Sequence, residues 1–222
     1  SIIEQARRLT PAGKKPQFER CCGAPEPEQV PVRTIEKQME IAMPAFAIGF
    51  RCPDAGRGAD AMRMDLIGEM AGEMLVGESS KLYQKLYDEN VIDADFSVDY
   101  ERMKGMALLE LSGDSEDPRR ILREVLAEAA RVLETGVDRA LLARLKKSVT
   151  GRRLRELDGF EGTCYRMCVY YFDGAEYFDY PEIYASVTAE DVEQFIRENV
   201  KEELAFVSVI RPKREKEEKS CC

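Results

Sequence analysis

The chain has 222 residues, a formal net charge of −9, no histidine and seven cysteines. Its acidic balance opposes a nucleic-acid partner, which would need clustered Lys and Arg against phosphates, and no apolar run approaches the ~20 residues that span a bilayer. Without an imidazole it cannot by itself build a Ser-His-Asp, Cys-His or HxxEH-type site, so no catalytic residue and no metal ligand is assigned to it.

The expected organisation is a lead-in arm or linker over 1–29, a globular unit over 30–212 and a charged tail over 213–222. Pro11, Gly13, Pro16, Gly23, Pro25 and Pro27 interrupt the first segment too often for a long helix or strand. The start Ser1-Ile2-Ile3-Glu4 lacks both an initiator Met and a secretory-signal pattern, so a piece of a longer polypeptide is expected. An odd cysteine count at low density points to a reducing cytoplasm.

Val30–Ile41 and Ala45–Phe50 read as strands, with Met43-Pro44 at the turn. A helix follows, in which Met64, Ile67, Met70, Ala71, Met74 and Leu75 form one stripe and Asp65, Glu69 and Glu73 another. Ser79-Ser80 can cap a second helix carrying Leu82, Tyr83, Leu86 and Tyr87. Ala94–Glu101 alternates Phe96, Val98 and Tyr100 against polar residues and pairs with Met106–Leu111 as a hairpin.

Asp117-Pro118 opens a helix that runs to Gly136, and Asp138 opens the next, which ends near Arg152-Arg153-Leu154-Arg155. An aromatic helical segment occupies 159–173, and a short turn of structure follows at 178–184. Thr188 and Asp191 form an approximate capping box before the last helix, and Leu204–Ile210 is a closing strand. Strands and helices in separate groups predict an α+β, two-layer unit with an antiparallel sheet and helices on one face.

Several clusters have ordinary readings. Cys164 and Cys168, at i and i+4, read as buried apolar thiols, because a closed zinc site needs four ligands. Cys21-Cys22 and Cys221-Cys222 read as thiols in mobile ends. Arg152–Arg155 reads as a solvated helix end, Glu69 and Glu73 as a solvated helix face, and Ser79-Ser80 as a cap without a base to activate it.

Gly77-Glu78-Ser79-Ser80-Lys81-Leu82 and Ser186-Val187-Thr188-Ala189-Glu190-Asp191-Val192, in this order of elements, resemble the second half-domain of pitrilysin and insulinase-like zinc peptidases, which include the mitochondrial processing peptidases. The resemblance covers about 30–212. It implies a two-layer α/β half that closes with a similar zinc-bearing half around an unfolded peptide. That partner half lies in the same polypeptide or in a separate subunit.

The zinc-bearing half carries His-x-x-Glu-His plus a later Glu. The stretch to be superposed on it here reads Glu69-Met70-Ala71-Gly72-Glu73, so the resemblance implies a noncatalytic half whose zinc lies in the partner. Active relatives place an Arg and a Tyr where this chain has Tyr87 and Ala94. Tyr87 is retained as a candidate substrate contact. The rival readings are a structural or interaction subunit with the same fold and no role in proteolysis, and a thiol-based sensor or metal binder.

Overall fold

The computed structural model describes residues 1–9, 30, 32–103 and 105–213. It is an α+β unit built on a five-stranded sheet. The elements in chain order are α1 (Ile2–Leu9), β1 (Thr34–Met39), β2 (Ala45–Cys52), α2 (Ala59–Val76), α3 (Lys81–Asp88), β3 (Ser97–Met103) and β4 (Met106–Asp114), then α4 (Pro118–Thr135), α5 (Arg139–Glu156), α6 (Phe160–Asp173), α7 (Tyr180–Ser186), α8 (Ala189–Asn199) and β5 (Ala205–Pro212). Within the expected lead-in, residues 2–9 form the exposed helix α1; residues 10–29, with Cys21-Cys22, and 214–222, with Cys221-Cys222, lie outside the described residues.

The helix ends follow their caps. The Ser80 hydroxyl accepts the Tyr83 N–H at 3.0 Å, and the Asp117 carboxylate accepts the Arg120 N–H at 3.0 Å with Pro118 in the first helical turn. Asp138 accepts the N–H groups of Ala140 and Leu141. The Asp191 N–H donates to Thr188 Oγ1 at 3.2 Å and the Thr188 N–H to Asp191 Oδ2 at 2.8 Å, a complete capping box. Each cap satisfies amide groups that the first helical turn leaves without partners.

Strand order is β1-β5-β2-β4-β3. Register aligns Val98, Leu111, Ile48 and Val207 in one row across β3, β4, β2 and β5, and Tyr100, Leu109, Phe50 and Ala205 in another. Helices α2, α4 and α8 pack against this face, where Ile48, Phe50, Leu66, Met70, Leu109 and Ile196 are fully buried. Each such side chain contributes about 1.5–3 kcal/mol of apolar burial.

The β1·β5 pair departs from the expected all-antiparallel sheet, because it is parallel. Five residues, 40–44, link β1 to β2, yet β5 lies between the two strands. The burial patterns give the reason. β5 buries Ala205, Val207 and Val209, whereas every residue of β1 is exposed, so the more apolar strand takes the interior place and polar β1 the edge. β3 begins at Ser97 and not at Ala94, because Asp93 Oδ1 accepts the Asp95 N–H and the Asp93 carbonyl accepts the Phe96 N–H, closing a turn first.

Helix α2 lies unusually close to β3. A Cβ on Gly68 would stand 2.4 Å from the Tyr100 ring, and one on Gly72 2.7 Å from Val98 Cγ2. Only glycine at these two places lets the helix axis settle onto the edge strand, and that contact fixes the direction in which the acidic stripe of α2 points.

Candidate functional site

The acidic stripe of α2 lines a groove. Asp65, Glu69 and Glu73 succeed one another at four-residue spacing, β3 supplies Val98, Asp99, Tyr100 and Arg102 on one side, and α5 and α6 supply Arg152, Arg153 and Tyr170 on the other, around a cavity of about 540 Å³. A second cavity of about 280 Å³ shares Glu73, Val98 and Arg152 with the first and extends to Glu78, Ser79, Tyr83 and Phe96. The two form one polar channel beside β3, a strand that pairs on one side with β4 and ends the sheet.

Ion pairs knit its walls together. Arg102 Nε donates to Asp65 Oδ1 at 2.5 Å and Arg102 Nη2 to Asp173 Oδ2 at 2.8 Å, which ties β3 to α2 and to the end of α6. Burial works against the Arg102 charge, but the two carboxylates outweigh it and raise its pKa. Burial lifts Asp65 above the ordinary carboxylate value, with Arg102 acting against it.

Arg152 Nη2 donates to Glu69 Oε1 at 2.7 Å, and Arg153 Nη2 stands 3.8 Å from Glu69 Oε2. The expectation that Glu69 and Arg152–Arg153 are simply solvated is therefore corrected: α5 crosses α2 and brings the two charges together over a sequence distance of 83 residues. Arg155 is exposed, as expected of a helix end.

Glu73 differs from Glu69. Its carboxylate makes no hydrogen bond and no ion pair among the described residues. Burial raises its pKa; Arg152 works against that shift, while Glu69, Glu78 and Asp99 add to it. Its Oε2 also lies at the end of α2, 2.1 Å from where a Gly77 Cβ would be, near the partial negative charge of the helix C-terminus. It too is more than a solvated residue.

Zinc is the metal that the resemblance implies for the other half, and the residues here do not fit it. The superposed stretch offers two carboxylates and Gly72 in place of imidazoles and a general base, and one of those carboxylates is already held by two guanidinium groups that would repel a dication. Among the described residues no group of three or more His, Cys, Asp or Glu is arranged around a metal position.

Of the residues singled out from sequence, Ser80 is a buried cap and Ser79 lines the smaller cavity. Tyr87 is 47% exposed and stacks on Tyr83 with ring centres 6.0 Å apart; Tyr83 lines the channel. The reading of Cys164 and Cys168 as buried is corrected, since Cys164 is half-buried and Cys168 exposed. No residue of their helix is fully buried, and Tyr170 is its contact with the core, a placement that the i, i+4 spacing alone leaves undetermined. Among the described residues the buried thiol is Cys52, whose pKa burial pushes up to about 12, so it is inert.

Sequence reasoning missed Asp65, Arg102, Tyr83 and Tyr170 as channel residues. The acidic stripe was visible, but its partners come from β3, α3 and α6, and no local pattern joins those segments.

Residues 10–149 match the family model described as the Peptidase M16 inactive domain. The chain belongs to that family. Among known proteins, this M16 inactive domain is 27% identical over 223 residues to the uncharacterized zinc protease YmfH of Bacillus subtilis, covering 96% of this chain and 50% of YmfH. It thus spans about half the length of the curated relative it matches.

Among solved structures, it superposes with a TM-score of 0.86 at 23% identity on an M16-like peptidase of Alicyclobacillus acidocaldarius, over 96% of this chain and 51% of that one. It matches the inactive peptidase domain of a zinc protease from Bordetella parapertussis with a TM-score of 0.65 at 13% identity, over 82% of this chain and 99% of that one. These likenesses give the same fold, and the family gives the inactive half of it.

Proposed function

We propose that this M16 inactive domain forms one wall of a peptide chamber opposite a zinc-bearing half, which is supplied by the same polypeptide or by a separate subunit and performs the hydrolysis. The observation that carries this reading is the channel itself. Where a catalytic half would hold metal ligands, this chain holds a Glu69–Arg152 ion pair beside an open, polar channel along an edge strand. An extended peptide can lie there and pair with the free backbone groups of β3, a general mode for exposed sheet edges.

The chain contributes surface and charge, and no step of bond cleavage. In this reading Tyr87 is a substrate contact, supported by its stacking on the channel residue Tyr83. A reducing cytoplasm belongs to the same reading, supported by Cys52, Cys164 and Cys168, which are all free thiols.

The test is a cleavage assay with an unfolded peptide, using this chain alone and the intact protein with both halves. Cleavage is expected in the intact protein, abolished by a zinc chelator and weakened by Tyr83→Ala, and absent for this chain alone. Stoichiometric zinc and cleavage in this chain alone would overturn the proposal.

A further inference from the structure

Helix α6 has a composition that calls for cover. None of its 14 residues is buried, yet Phe160, Tyr165, Tyr171 and Phe172 are 83%, 70%, 73% and 74% exposed. The helix is nevertheless held in place. Arg57 donates to the Phe172 carbonyl, Arg102 to Asp173, and Arg166 Nη2 lies 2.9 Å from Glu156.

Beside it, between α5 and α7, opens a cavity of about 470 Å³ whose walls include Leu154, Leu157, Phe178 and Pro181. Two residues of its wall, Arg153 and Tyr180, face each other, with the guanidinium 5.1 Å from the Tyr180 ring centre. Tyr180 is 6% exposed.

We propose that α6 and the adjoining α5–α7 cavity are the surface on which the zinc-bearing half docks, through an apolar segment that carries a carboxylate. This deepens the proposed function and rests on it. Four arguments select that occupant. The relatives are about twice as long as this chain, so a body of equal size remains to be placed.

Next, four exposed rings of about 150–250 Å² each supply on the order of 600 Å², and interfaces between domains of one chain total about 600–1,500 Å². The cavity is walled by apolar side chains, and Lys147 at its wall adds a cation that no described carboxylate pairs. Last, Arg153 belongs to this cavity and to the channel alike, so whatever sits here also borders the channel.

The native thiol of Cys168, exposed on α6, gives a readout that needs no substitution. Its alkylation rate by iodoacetamide, followed by mass spectrometry of the Cys168 peptide, is compared between this chain alone and the intact protein with both halves. A fall of about tenfold or more is expected when the helix is covered, since access controls thiol reactivity.

In parallel, a Phe160→Ser/Tyr171→Ser/Phe172→Ser variant, altered at exposed positions only, is tested for binding to the zinc-bearing half produced separately. Loss of the aromatic anchors should raise Kd about thirtyfold or more. Equal alkylation rates and equal Kd would overturn the inference while leaving the proposed function standing. No binding by the unaltered chain, with no cleavage by the mixture, would sink the proposed function itself. Concentration-dependent dimers of the unaltered chain that vanish in the variant would overturn the inference in favour of a second copy.

Discussion

Helices α2 and α6 are both rich in apolar residues, and the fold treats them oppositely. Eleven of the 18 residues of α2 are buried, against none of the 14 in α6. The difference lies in what each helix can approach. Gly68 and Gly72 let α2 lie on Tyr100 and Val98 of β3, whereas α6 is anchored through its ends, by ion pairs and by the Tyr170–Tyr177 ring stack. Apolar composition therefore identifies core in one case and, on our reading, an interface in the other; the deciding quantity is the surface within reach.

The comparison breaks first at the core side. Leu66→Ala, at a site 1% exposed, is expected to cost about 2–5 kcal/mol in urea unfolding; a cost near zero would mean that α2 is not seated as described. Gly68→Ala should come next, at a net of about 1–2 kcal/mol, because the ring clash at 2.4 Å outweighs the better helix propensity of alanine. A stabilised Gly68→Ala protein would show that the helix–strand contact is looser than drawn. Thr188→Ala removes half of the capping box and should cost about 1 kcal/mol.

A smaller, pH-dependent effect is expected at Glu73, whose folded pKa is raised. The folded state favours its protonated form, so its contribution is fully present below the ordinary carboxylate value and is lost as pH rises through the raised one. Glu73→Gln should accordingly melt about 1–3 °C above the parent at pH 7, and the gap should close as pH falls. An advantage independent of pH would assign it to packing. The smallest effect belongs to α6: Phe172→Ser should change the stability of this chain by no more than about 0.5 kcal/mol, in contrast to its expected effect on association. A loss comparable to that of Leu66→Ala would mean that α6 is part of the core after all.

Much of the channel was half-visible beforehand. The four-residue spacing of Asp65, Glu69 and Glu73 put three carboxylates on one stripe, and the motif order placed Glu69 and Glu73 where metal ligands would stand in a catalytic half. Their partners were not visible, because Arg102, Arg152 and Asp173 come from β3, α5 and α6. Charge runs such as Arg152–Arg155 carry no mark of which members will meet a carboxylate. Nor did the placement of Cys164 and Cys168 on an apolar-rich helix reveal that no residue of this helix is fully buried.

What the amino-acid order determined alone is what short-range chemistry decides. Ser80, Asp117, Asp138 and Thr188 start helices because their side-chain oxygens satisfy amides two or three residues away, and alternation in 97–111 closes a hairpin within the reach of one turn. The tertiary structure decided the rest. It set β5 between β1 and β2 with a parallel edge, and it brought Arg152 onto Glu69. Both depend on which apolar surfaces bury one another across more than 80 residues of chain, a competition among long-range contacts that no local pattern encodes.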